Sequence, residues 1–189
     1  MIRIGIIGNI GSGKSYVAQN FGYPVFNADY EVSKLYKKDK KIFIKLNKNL
    51  PKYIFKFPID KNEITEAILS NKNNLKKIIN IIHKEIRKKM NSFLKKNKHK
   101  KIVILDIPLL LENKINNKKD ILIFVDSKKK DIEKRLIKRK NFNRKLFNKF
   151  KKTQYSSRYK KKRSHFVINN NFTKKSVRMG INYILNKIM

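Results

Sequence analysis

Residues Gly8 to Ser15 read Gly-Asn-Ile-Gly-Ser-Gly-Lys-Ser, which fits Gly, any four residues, Gly-Lys-Ser, and they follow directly on the apolar run Ile2-Arg3-Ile4-Gly5-Ile6-Ile7. A strand that enters a Gly-rich turn and leaves it as a helix can fold in few ways. The backbone N–H groups of the turn converge on one point and cradle phosphate oxygens. The amino-terminal end of the following helix adds partial positive charge at the same place. Gly11, Ser12, Gly13, Lys14, Ser15 and Tyr16 are therefore read as a nucleotide phosphate cradle. Lys14 is expected to reach the outer phosphates, and the Ser15 hydroxyl to ligate Mg²⁺.

The rest of the chain fits a sheet protein built around that turn. Lys14 to about Phe21 reads as a helix, Tyr23–Phe26 as a short second strand, and Tyr30 to about Tyr36 as a helix capped by Asp29. Between 37 and 100 apolar residues recur at three- and four-residue spacing, with breaks near Pro51 and Pro58, which predicts a helical insertion too long for a simple crossover. Ile102–Asp106 and Ile121–Asp126 are uninterrupted apolar strands ending in acids, and Phe166–Ile168 is a last short one. Ser127 to about Lys140 reads as a basic helix with Ile132, Leu136 and Ile137 inward. The segment 141–163 reads as a basic helix–loop–helix, and Ser176–Met189 as a closing amphipathic helix. Strands alternating with helices predict an α/β fold with a parallel sheet of five strands. It is expected as one domain, with a core of 1–36 and 101–189.

Charge calls for a nucleic-acid reading first: 49 Lys and Arg against 13 Asp and Glu give +36. Yet 41 of the basic residues are Lys, and with 28 Ile and 23 Asn they make up close to half the chain. These types have codons rich in A and U, and the Lys are spread through every segment. Nucleic-acid surfaces favour the bidentate fork of Arg. Base-composition drift accounts for this pattern, so weak, salt-sensitive attraction to phosphate is expected and no specific nucleic-acid partner. Without Cys there is neither a disulfide nor a thiolate metal site. No apolar run approaches membrane length, so a cytoplasmic protein with no membrane partner is the expectation.

Scarce acids at strand ends are informative, because a parallel sheet places its site at the carboxyl ends of its strands. Asp29, taken to end the second strand, could accept a proton from an attacking hydroxyl. Asp106 could support Mg²⁺ or the acceptor, and Glu112 follows it. Arg135 and Arg139, four apart on one expected helix face, suit the phosphate oxygens of a transition state. His83 lies in an apolar helical stretch and reads as structural. Asn117-Lys118-Lys119-Asp120 imitates the guanine signature of GTPases, but it precedes a strand where that signature follows one. No Asp-x-x-Gly accompanies it, and GTPase is excluded.

These residues together resemble the dephospho-coenzyme A kinase family over nearly the whole chain. Gly8–Ser15 is similar to its phosphate loop, and Asn27-Ala28-Asp29 to its Asp-Ala-Asp. Asp106-Ile107-Pro108-Leu109-Leu110-Leu111-Glu112 resembles its Asp-x-Pro-Leu-Leu-Phe-Glu. Val125-Asp126, Arg135 and Arg139 look like its Val-Asp and two lid arginines, and Gln154, Lys160 and Phe166–Asn170 like its carboxyl-terminal pattern. Ile59-Asp60-Lys61 and His83 echo family positions in the helical insertion. Departures are Tyr16 for Thr, Asn27 and Asn169 for Asp, Lys61 for Arg, and Lys84 for Pro.

The resemblance implies a P-loop kinase fold with a helical acceptor-binding insertion at 37–100 and a lid near 141–163. It implies ATP-dependent phosphorylation of the ribose 3′-hydroxyl of dephospho-CoA by a monomer or weak homo-oligomer. The implied catalytic residues are Asp29, Lys14, Arg135 and Arg139, and the implied acceptor-side residues Asp106, Pro108, Leu109, Glu112, Lys61 and His83. Two other readings share the loop: another small-metabolite or nucleoside monophosphate kinase, and a basic nucleic-acid-binding P-loop ATPase.

Overall fold

Apolar runs without polar alternation have no face to offer water, and here they are buried on both sides of one sheet. The computed structural model describes residues 1–139 and 142–189. In chain order it contains β1 (Ile2–Gly8), α1 (Lys14–Gln19), β2 (Val25–Asn27), α2 (Ala28–Lys38), α3 (Lys40–Asn49), α4 (Lys61–Ser70) and α5 (Lys72–Lys96). Then follow β3 (Ile102–Asp106), β4 (Ile121–Asp126), α6 (Lys129–Ile137), α7 (Arg144–Thr153), α8 (Ser157–Arg163), β5 (Phe166–Asn169) and α9 (Lys174–Ile188). Lys140, where the basic helix was expected to end, and Asn141, where the lid segment was expected to begin, lie outside the described residues.

The chain forms two units, Met1–Asn27 with Asn97–Met189, and Ala28–Lys96. In the first, the five strands run parallel in the order β2-β3-β1-β4-β5. On one face Val17, Ala18 and Phe21, with Val177, Ile181 and Ile184 of α9, close a core over Ile4, Ile6, Ile104 and Ile123. The spacing of the three α9 residues puts them on one helical stripe, and Thr173 caps that helix by accepting from the Ser176 amide at 3.2 Å. On α6, Ile132 and Leu136 are buried, whereas Ile137, expected inward, is 61% exposed. One residue past Leu136 the helix has turned by about 100°, off the buried stripe.

The second unit is built from the helices α2 to α5, with an irregular stretch from Leu50 to Asp60 between α3 and α4. It begins at Ala28, earlier than the change of pattern at Lys37, because α2 packs with α3 and α5. Ile78, Ile82, Ile86 and Met90 recur every fourth residue along α5 and are all buried. Among the described residues, no helix is long and apolar enough to cross a membrane.

Candidate active site

Strand order decides what surrounds the phosphate loop. From β1 the chain goes through α1 to β2 on one side, and from β3 it goes to β4 on the other, so β1 and β3 are neighbours whose connections leave in opposite directions. A crevice opens at the carboxyl ends of such a pair, and Gly8–Ser15 and Asp106 both lie at its edges. β3 separates β2 from β1, so the strands beside β1 are β3, which ends in Asp106, and β4, which ends in Asp126.

The loop itself is held from below. Gly13 precedes α1 with φ 90°, and a Cβ there would collide with the side-chain amide of Asn170. Asn170 is buried, donates from Nδ2 to the Ser12 carbonyl at 2.9 Å, and accepts from the Phe172 amide at 2.9 Å through Oδ1. The Ser127 hydroxyl donates to the same Ser12 carbonyl at 3.0 Å. The Ser12 hydroxyl oxygen is buried without a hydrogen-bond partner among the described residues. A loop fixed underneath, with an orphaned polar atom and no Cβ at Gly13, fits a phosphate group.

Lys14 folds back on its own loop, donating to the Asn9 carbonyl at 2.9 Å and the Gly8 carbonyl at 3.3 Å. Ser15, one residue on, is hydrogen-bonded to Asp106. Asp106 is 4% exposed, and its Oδ2 accepts from Asn27 Nδ2 at 2.6 Å, the two residues being paired across β2 and β3. Burial pushes the Asp106 carboxyl above its ordinary range, while Ser15, Lys14 and Asn27 pull it the other way. A hydroxyl and a carboxylate in contact are two hard oxygen donors. That set fits Mg²⁺, which takes one or two protein oxygens and completes its shell with water and substrate phosphates.

Past β3 the chain turns sharply, with Leu109 in left-handed conformation at φ 57°, an outlier for a γ-branched side chain. Leu110 and Leu111 are buried, and Glu112 accepts from the Tyr155 amide at 2.9 Å. Lys160, on α8, is 2% exposed, 3.8 Å from Glu112 Oε1 and 3.3 Å from the Gly8 carbonyl. Burial lowers its ammonium pKa and Glu112 opposes that shift. Gly8, Lys14, Leu109, Glu112, Gln154 and Lys160 line a cavity of about 10 Å³, roughly the room for one water. Pro108 is half-buried beside it in the chain.

Of the two arginines, Arg135 stacks on the Phe172 ring at 4.4 Å, close to where a Gly13 Cβ would lie. Arg139 does not share its helix face. α6 ends at Ile137, Lys138 caps it, and Arg139 follows in a turn closed by its amide to the Leu136 carbonyl. Tyr16 is 40% exposed on the first turn of α1. The false guanine signature has a structural use. Asp120 is buried at the opposite, amino-terminal edge of β4, 2.9 Å from Arg3 of β1, and also accepts from the Asn117 amide at 2.8 Å.

The remaining expected site residues lie in the helical unit. β2 stops at Asn27, so Asp29 neither ends a strand nor caps a helix; it sits in the first turn of α2, where a carboxylate complements the helix dipole. Lys61 is the exposed first residue of α4, after the cap Asp60. His83 is half-buried on α5, and burial, then Arg87, lowers its imidazole pKa. The family resemblance marks Gln154, Lys160 and Asn170 without giving them a role, and nothing in the sequence singles out Ser127. An Asn among 23 or a Lys among 41 carries no local signal of burial.

A family model described as dephospho-CoA kinase matches residues 2–175. A protein of Wolbachia pipientis wMel named dephospho-CoA kinase is 34% identical over 92% of this chain and 91% of its own length. Among solved structures, TT1252 from Thermus thermophilus superposes with a TM-score of 0.80 at 24% identity, covering 100% of this chain and 98% of that one. A dephospho-CoA kinase from Campylobacter jejuni gives 0.65 at 21% identity, covering 98% and 96%. These two likenesses establish the fold.

Proposed function

The chain belongs to the dephospho-CoA kinase family, and we propose that it transfers the γ-phosphoryl group of ATP to the ribose 3′-hydroxyl of dephospho-CoA. The product is coenzyme A, and the reaction is the last step of its biosynthesis. The observation that carries this reading is what meets at the carboxyl ends of the neighbouring strands β1 and β3. There a phosphate loop with an orphaned Ser12 hydroxyl adjoins Ser15 in contact with the buried Asp106, within a chain the family model matches almost throughout.

In this reading the backbone amides of Gly11, Ser12 and Gly13 hold the β-phosphate. Lys14 leaves the Gly8 and Asn9 carbonyls and extends to the γ-phosphate. Ser15 and Asp106 would hold Mg²⁺, which when bound neutralises charge on the β- and γ-oxygens. Asp29 takes the proton of the attacking hydroxyl; its support is the correspondence of Asn27-Ala28-Asp29 to the family's Asp-Ala-Asp. Arg135, oriented by Phe172, spreads the charge of a loose transition state, and Arg139 joins it from the turn after α6. Residues 141–163 act as the lid. Tyr16 flanks the nucleotide; Pro108, Leu109, Glu112, Lys61 and His83 serve the acceptor. The proposed setting is the cytoplasm, with ATP and dephospho-CoA as partners.

The test is coupled ADP release with dephospho-CoA, adenosine, AMP and shikimate offered in parallel. Turnover is expected on dephospho-CoA; turnover on another acceptor with none on dephospho-CoA overturns the assignment. Asp29→Asn is expected to lose most of kcat while binding ATP normally, and a loss confined to KM would remove Asp29 from proton transfer.

A further inference from the structure

Among the described residues, Lys160 is the only buried Lys or Arg. An ammonium taken out of water is held only where acceptors compensate it. Those acceptors are the carboxylate of Glu112, itself fixed by the Tyr155 amide, and the Gly8 carbonyl. Gly8 is where β1 ends and the phosphate loop begins, and its carbonyl also accepts from Lys14 at 3.3 Å. Two cations therefore share one loop oxygen.

The contacts around Lys160 follow one order. Asn9 donates to the Ser157 hydroxyl at 2.8 Å, and the Ile10 amide donates to Gln154 Oε1 at 3.3 Å. Gln154, Ser157 and Lys160 thus grip Ile10, Asn9 and Gly8, three successive residues of the loop. When Lys14 turns to a phosphate, the Gly8 carbonyl loses one donor in a site with room for about one water. A carbonyl left unpaired there would draw Lys14 back.

We propose that Lys160 is a positioning residue for phosphoryl transfer, holding the Gly8 carbonyl so that Lys14 is free to engage the γ-phosphate. This rests on the role given above to Lys14. Lys160 makes no contact with the reacting atoms in this scheme. It acts through Lys14, and Glu112 serves as its counter-ion.

The test is a kinetic cycle of Lys14→Ala, Lys160→Met and the double variant, assayed with ATP and dephospho-CoA. Lys14→Ala alone examines the underlying reading, and retention of most turnover would remove it. Lys160→Met is expected to lower kcat about 10- to 100-fold with KM for ATP within about 3-fold, and to cost less than about 3-fold in the Lys14→Ala background. A merely structural lysine would lower both backgrounds by the same factor. That additive result, or unchanged kcat in Lys160→Met, overturns the proposal while leaving Lys14 in place. Should Lys160→Met not fold, Lys160→Arg takes its place in the cycle. Its fork does not fit where a single Nζ reaches Gly8, so coupling with Lys14→Ala supports the proposal and additivity overturns it.

Discussion

Gly13→Ala should be among the most damaging single-methyl changes in this chain, and its cost can be divided in advance. The residue has φ 90°, where an L side chain is strained by about 1–2 kcal/mol. The new Cβ would also collide with the Asn170 amide. Moving Asn170 aside breaks its bonds to the Ser12 carbonyl and from the Phe172 amide, about 1 kcal/mol each. The total is about 3–4 kcal/mol, a large part of an ordinary domain's stability. The Ser12 carbonyl keeps its bond from Ser127, so the Phe172 amide is the group left unpaired.

If that division is right, the two parts separate in a double-mutant cycle. Asn170→Ala breaks the same two bonds by itself and removes the collision. In that background Gly13→Ala should cost only its strain, about 1–2 kcal/mol, leaving a coupling of about 2 kcal/mol. Urea denaturation of the four proteins, compared at unchanged m, reads the result directly. An equal cost of Gly13→Ala in both backgrounds, or less than about 1 kcal/mol in the wild type, would refute the reasoning.

Three further outcomes follow from the same geometry. Burial raises the Asp106 carboxyl. Such a group contributes stability fully present below its unfolded value, about 3.9, and lost as pH rises through the folded one. Asp106→Asn should therefore melt above the wild type at pH 8 without nucleotide, with the gap closing toward pH 4, and should not turn over; a gap that widens toward pH 4 refutes this. Asp120→Ala leaves Arg3 and the Asn117 amide without their partner and should cost about 2–4 kcal/mol in denaturant, with kcat of the folded fraction unchanged. A kcat loss would give Asp120 a functional role. Arg135→Lys keeps the charge but loses the planar stack on Phe172, so kcat should fall about 10- to 100-fold with less than about 1 kcal/mol of stability change; a loss confined to stability would refute that assignment.

The sequence by itself determined the strands and the phosphate loop. Short uninterrupted apolar runs rich in Ile and Val, such as Ile102–Asp106, read as buried strands, and the Gly-Lys-Ser pattern after a strand reads as a turn and a helix start. These are local properties, written in period and in backbone freedom. Tertiary structure decided what meets the loop: insertion of β3 between β1 and β2 puts Asp106 beside Ser15. It also ended α6 before Arg139, a stop that no Gly or Pro in the sequence announces. Above all it buried Lys160 and Asn170 and gave them their partners. In a chain so rich in Lys and Asn, residue type says nothing about burial. A lysine becomes a buried cation only when a distant strand end and a distant carboxylate, Gly8 and Glu112, close around it.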